Sequence, residues 1–194
     1  MSVLHVHASR ENVGDDALVL VIQRAIAEAM GTDAHVTAVS LDQRPRYDDP
    51  PSRFLPLYQL HRARHWPATL RALRHVRAIV VGGGELLGYM EYLLFPVLAR
   101  LLGVPCHFVG VGSRLRGASR LPRAYGRWAL GLADAIVTRD RESVQELRAL
   151  GVAGPRVVEG TDLVFALRAP RPAASRAGIG VVLRNTENPD LALT

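Results

Sequence analysis

Short apolar runs alternate along the chain with longer stretches in which apolar residues recur at helical spacing. The run Val3-Leu4-His5-Val6-His7 predicts a first strand. Asp15 to Ala29 then predicts a helix, with Leu18, Val21, Ile22, Ala25, Ile26 and Ala29 on one side and Gly31 as a stop. His35 to Leu41 predicts the second strand, Ala78 to Val81 the third, Pro105 to Val111 the fourth, Ala135 to Thr138 the fifth and Arg156 to Glu159 the sixth. Between them, helices are predicted over Tyr89 to Leu102 (ended by Gly103), Ser119 to Leu132, and Arg141 to Leu150 (closed by Gly151). Arg44 to Pro67 breaks the pattern, because Pro45, Pro50, Pro51, Pro56 and Pro67 lie among arginines. It reads as a surface excursion followed by a short helix over Ala68 to His75.

Repeated β-α units of this size predict an α/β fold, a Rossmann-like parallel sheet with helices on both faces, since parallel strands need crossovers. That domain is expected to occupy residues 1–168. Ala169 to Ala177 carries Pro170, Pro172 and arginines without periodicity and reads as a linker. Gly178 to Arg184 predicts a further buried strand, with only ten residues after it. Residues 178–194 are therefore expected to be the first strand of a second domain, and the chain a fragment of a longer protein.

Composition narrows the function classes. The chain is 48% hydrophobic and 22% charged, which fits a folded domain with a full core. The formal charge of +6 comes entirely from arginine, as none of the 24 basic residues is lysine. This reflects either a G+C-rich coding bias or a basic surface suited to phosphorylated ligands, acidic glycans or an anionic membrane face. The arginines are scattered and do not alternate with aromatics, so no nucleic-acid partner is expected. The single Cys106 lies in the apolar run Val104 to Val109 and reads as an inert buried thiol in a reducing compartment. No segment reaches the roughly 18 apolar residues of a membrane span. The expected location is the cytoplasm, with peripheral association at the inner face of the membrane.

Candidate chemistry concentrates after the strands. Asn12-Val13-Gly14-Asp15-Asp16 follows the first strand and Gly82-Gly83-Gly84-Glu85 the third. In a parallel sheet both lie at the ligand edge, where glycine allows close backbone approach and helix starts attract anions. Asn12 is suited to reading a sugar hydroxyl and Gly14 to close approach. Asp15 is suited to orienting or deprotonating a hydroxyl, although Asp15 and Asp16 are also natural helix caps. Glu85 is either a catalytic acid or base or a helix-entry carboxylate. Arg139, in Arg139-Asp140-Arg141-Glu142-Ser143, follows the fifth strand and suits bidentate binding of a carboxylate or phosphate, with Asp140 as a cap. The seven histidines have no metal-site spacing, and no dinucleotide fingerprint, phosphate-binding P-loop or G-x-S-x-G elbow occurs. No metal or cofactor is expected.

Taken in order, Asn12 to Ala17, Val81 to Leu87, Arg139 to Ser143 and Thr161 to Leu167, with Val181-Val182-Leu183-Arg184, resemble the polysaccharide pyruvyl transferase family. The resemblance implies two Rossmann domains arranged as in B-type glycosyltransferases, of which this chain is the N-terminal half. It implies transfer of pyruvate from phosphoenolpyruvate to a sugar, or to a lipid-linked glycan precursor, as a cyclic ketal. Asp15 and Glu85 are then the catalytic candidates. Asn12, Gly14, Gly82, Gly83, Gly84, Arg139 and Arg184 are the substrate-binding ones, and much of the donor site, with a key histidine, belongs to the missing C-terminal domain. As a fragment, the chain is expected to be inactive. Gly110-Val111-Gly112-Ser113-Arg114 lacks the Gly-Pro common in the family, and Gly88-Tyr89 stands where an acid is common. Two other classes fit the same loops: a nucleotide-sugar-dependent glycosyltransferase and a non-catalytic binding module.

Overall fold

Seven strands build one sheet among the residues that the computed structural model describes, which are 2–7, 13–31, 35–40, 53–56, 73–113, 115 and 120–167. They are β1 (Ser2–His7), β2 (His35–Ser40), β3 (Arg53–Pro56), β4 (Val76–Gly84), β5 (Cys106–Val111), β6 (Ala135–Thr138) and β7 (Arg156–Glu159). Their order across the sheet is β3-β2-β1-β4-β5-β6-β7, and every pairing is parallel. The chain runs outward from β1 to β3, crosses back to the other side of β1, and runs outward again from β4 to β7. That reversal opens a crevice between β1 and β4 at their carboxyl ends, which is where ligands bind in open α/β sheets.

Among the described residues, the α-helices that flank the sheet are α1 (Val13–Met30), α2 (Leu94–Leu102), α3 (Arg120–Leu130) and α4 (Arg141–Leu150). Because the central strands are covered on both sides, they read as apolar runs rather than alternating patterns. On one face Ile22 and Ile26 of α1 pack on Val3 and Val36. On the other, Phe95, Ala99, Ala129, Leu130 and Leu147 from α2, α3 and α4 close over Leu4, Val6, Ile79, Val81, Phe108 and Ile136. After β7, Asp162 caps a short 3-10 helix (Leu163–Ala166) by accepting from the Val164 N–H at 3.0 Å. Leu163 then joins the α1 face and fills the space beside Gly110.

Three expectations are corrected. β3 lies inside the proline-rich stretch read as a surface excursion, where it pairs with β2 in the register Thr37↔Arg53. Among the described residues β3 is the edge strand, and an edge strand tolerates Arg53 and Pro56 because its outer side need not donate to a ladder. The glycine triplet is not a loop after the third strand: β4 runs through Gly84, with Gly82 opposite Val109 and Gly84 opposite Val111. Finally, the helix expected from Tyr89 begins only at Leu94. Pro96 has no N–H to donate, and it is accommodated as the third helical residue, where the N–H groups have no intrahelical partner. Residues 68–72 of the expected short helix, the linker 169–177 and the strand Gly178 to Arg184 lie outside the described residues.

Candidate active site

The carboxyl ends of β1, β4, β5 and β6 meet at one edge, and the candidate residues follow from them. α1 starts at Val13, so Asp15 and Asp16 fall in its first turn, where carboxylates offset the partial positive charge of the helix start. Asp16 is buried and Asp15 half-buried, while Gly14 is exposed. A Cβ placed on Gly84 would lie 3.6 Å from Asp15 Oδ1, which sets Asp15 beside the end of β4 in the crevice. The other two glycines serve helix packing. A Cβ on Gly82 would come within 2.6 Å of both Ile22 Cδ1 and the Val109 carbonyl oxygen, and one on Gly83 within 2.9 Å of Leu18 Cβ. Their missing side chains let α1 lie directly on β4.

Glu85 and Arg139 close the same edge from the other side. The Gly112 N–H donates to the Gly84 carbonyl at 2.9 Å and the Arg139 N–H to the Val111 carbonyl at 3.0 Å, so the three strand ends are stitched together. Across them Arg139 Nη2 donates to Glu85 Oε1 at 2.5 Å. The bridge passes over Gly112, where a Cβ would meet Arg139 Nε at 2.8 Å and Glu85 Cγ at 3.0 Å. Arg139 Nε also donates to Asp140 Oδ2 at 3.3 Å. Asp140 in turn caps α4, accepting from the Ser143 N–H at 2.7 Å, and Ser143 Oγ accepts from the Ser113 N–H at 3.0 Å. Desolvation alone raises the Asp140 carboxyl, but the Ser143 hydrogen bonds and the Arg139 cation outweigh it and hold the group below the usual aspartate range.

Asp15, Gly84, Glu85 and Arg139 are thus brought to one edge, while Gly82 and Gly83 lie beneath α1. Asn12 and Arg184 lie outside the described residues. Sequence reasoning missed Gly112, which leaves room for the Glu85–Arg139 bridge, and His7, the buried last residue of β1 below the crevice. The position of His7 at a strand's carboxyl end was the available signal. Among the described residues no group of three His, Cys, Asp or Glu side chains is placed to hold a metal ion. Cys106 is buried in β5, and burial, followed by the nearby Asp134 carboxylate, pushes its thiol up to about 12, which leaves it protonated and unreactive.

Among solved structures, the chain is similar to the UDP-GlcNAc 2-epimerase of Methanocaldococcus jannaschii, with 14% identity and a TM-score of 0.50 over 82% of this chain and 45% of that one. The Rickettsia bellii UDP-N-acetylglucosamine 2-epimerase matches at 11% identity and a TM-score of 0.52, covering 86% and 46%. The Neisseria meningitidis enzyme, bound to UDP-GlcNAc, matches at 12% identity and 0.50, covering 84% and 47%. At such identities the likeness is one of fold, and the chain spans just under half the length of these proteins. No curated protein matches the sequence. The polysaccharide pyruvyl transferase family profile matches residues 12–192, from the start of α1 through the ends of β4, β5 and β6, and the chain belongs to that family.

Proposed function

We propose that the protein carrying this chain transfers the pyruvyl group of phosphoenolpyruvate to two hydroxyls of a sugar in a glycan or its lipid-linked precursor. Ketal formation puts a proton on the methylene carbon and forms two C–O bonds from the sugar diol to the central carbon. The C–O bond to phosphate breaks, and the second hydroxyl proton leaves with phosphate or solvent. Such a site needs a carboxylate to accept hydroxyl protons and cations for the donor's carboxylate and phosphate. The observation that carries the reading is the convergence of Asp15, Glu85 and Arg139 on the switch-point edge of a chain in this family.

In this reading Asp15 faces the acceptor sugar as base and Arg139 faces the donor. Asn12 and Gly14 contact the sugar, and Gly84 allows its close approach. Glu85 holds Arg139 in place until an anion arrives, and then releases it to the donor and turns to the acceptor. Arg184 and a second domain complete the donor site, in the cytoplasm. The test is phosphate release and ketal formation by the full-length protein with phosphoenolpyruvate and a glycan acceptor. Asp15→Asn is expected to lower turnover by about 10²-fold, as loss of a general base does. Wild-type rates in Asp15→Asn would return this carboxylate to a helix-start role, and transfer from a nucleotide-sugar instead of phosphoenolpyruvate would overturn the donor assignment.

A further inference from the structure

The helix α2 is apolar on the side that faces solvent as well as on the side that faces the sheet. Phe95, Pro96 and Ala99 are buried, yet Leu94 and Leu101 are 57% and 80% exposed, with Leu98 between them on one strip of the helix. The neighbouring α3 repeats the arrangement: Leu121 and Trp128 are 79% and 53% exposed on either side of Tyr125. The Tyr125 ring lies 5.8 Å from that of Trp128, and its hydroxyl donates to the Leu93 carbonyl at 3.5 Å, which joins the two strips. Apolar surface of this extent on adjacent helices marks a site of interaction. None of these side chains takes part in the carboxyl-edge site.

Charge identifies the occupant. From Tyr92 to Ala133 the chain carries six arginines and no aspartate or glutamate. Of these, Arg100 is exposed on the flank of α2 and Arg127 on the flank of α3, where its exposed side chain passes beside Gly151 at the end of α4. Arg123, one turn before it, shares a cleft with Glu142 and Glu146 of α4.

We propose that the α2–α3 face docks on an anionic lipid membrane, with Leu94, Leu101, Leu121 and Trp128 entering the headgroup boundary and Arg100 and Arg127 meeting lipid phosphates. Leucine and tryptophan on one side with arginine at the flanks is the composition of a surface that lies in the interface. A second copy of this chain fits less well, because a two-fold contact through this face would bring one arginine-flanked face against another with no carboxylate from Tyr92 to Ala133 to offset them. No described helix is long and apolar enough to cross a membrane. Both helices start from the carboxyl edge (α2 after β4, α3 after β5), so the docking face runs beside the sheet with Leu94 and Leu121 at the end nearer that edge.

The experiment is co-sedimentation of the full chain with vesicles of mixed phosphatidylglycerol and phosphatidylcholine, and with phosphatidylcholine alone, at low and raised salt. Wild type is expected to bind the anionic vesicles, to bind the neutral ones far more weakly, and to lose affinity with salt. Arg100→Glu with Arg127→Glu is expected to cost at least about tenfold, since each basic residue near an anionic surface is worth roughly fivefold. Leu101→Ser with Trp128→Ser tests the apolar half, and melting curves check that these surface variants remain folded. Absence of wild-type binding to anionic vesicles overturns the proposal, as does equal binding by both double variants. So does a dimer in sedimentation equilibrium that the same substitutions dissolve while lipid binding is absent. The assay contains no donor or acceptor, so its outcome is separate from that of the reaction proposed for the edge.

Discussion

Arg139 is held by two carboxylates before any ligand arrives, Glu85 across the strand ends and Asp140 next in the chain. Side chains as accessible as these contribute about 0–1 kcal/mol to stability, because water screens the pair and ordering it costs entropy. A guanidinium closing on a donor's carboxylate or phosphate is worth more. Arg139→Ala is therefore expected to change unfolding free energy by no more than about 1 kcal/mol while raising the KM for phosphoenolpyruvate roughly 10- to 100-fold. Glu85→Gln acts in the opposite sense on binding: it removes the carboxylate that competes for the guanidinium, so KM for the donor should fall while kcat also falls. Steady-state phosphate release across donor concentrations measures both. An unchanged KM in Arg139→Ala would remove this residue from the anion site.

At the scale of elements, two substitutions separate framework from site. Alanine at Gly82 meets the Val109 carbonyl, a backbone atom in a paired strand that has nowhere to go. The expected cost is about 2–3 kcal/mol, seen as a lowered melting temperature. The nearest atoms that an alanine at Gly112 meets belong to the Arg139 and Glu85 side chains, which can move, so it should displace the bridge, leave melting nearly unchanged and shift the donor KM; equal melting losses at the two positions would contradict this. The cap of α4 gives a pH signature. The folded Asp140 carboxyl lies below its unfolded value, so its contribution is complete above about pH 4 and is lost as pH falls through the folded value. Asp140→Ala should cost about 1 kcal/mol at neutral pH, and urea unfolding should show the gap closing below about pH 4. A gap that persists in strong acid would mean that the carboxylate does not supply the cap. What was legible beforehand follows the same lines. Helices closed by Gly103 and Gly151 and strands bounded by turns announced themselves, as did Asp15, Glu85 and Arg139, because each follows a strand. The partnership of Glu85 with Arg139 did not, since 54 residues separate them and only the order β4-β5-β6, with Gly112 between, brings them together. β3 was hidden because an edge strand of four residues needs neither an apolar face nor freedom from proline.

For the molecule as a whole, the doubly covered sheet has a consequence at β1, an interior strand paired with β2 and β4. His5 and His7 lie on the face that α1 covers, both fully buried, with ring centroids 5.3 Å apart. Neither ring nitrogen of His5 has a hydrogen-bond partner among the described residues. Burial, and then the neighbouring His7, holds its pKa well below the ordinary histidine value, so the folded protein keeps His5 neutral where the unfolded chain protonates it. The unfolded state then binds more protons, and stability must fall as pH drops below about 6.5, with a slope approaching 1.4 kcal/mol per pH unit for one proton. This window lies above that of the Asp140 cap, so the two can be measured on one protein. His5→Leu keeps a side chain of similar volume in the core and removes the titration. Its denaturant-unfolding free energy should decline less steeply than that of wild type between about pH 6.5 and pH 5, while both proteins share the steeper loss below about pH 4. If the two curves ran parallel through the upper window, His5 would have to take up its proton inside the folded sheet, and the closed α1 face described here would have to open to admit it.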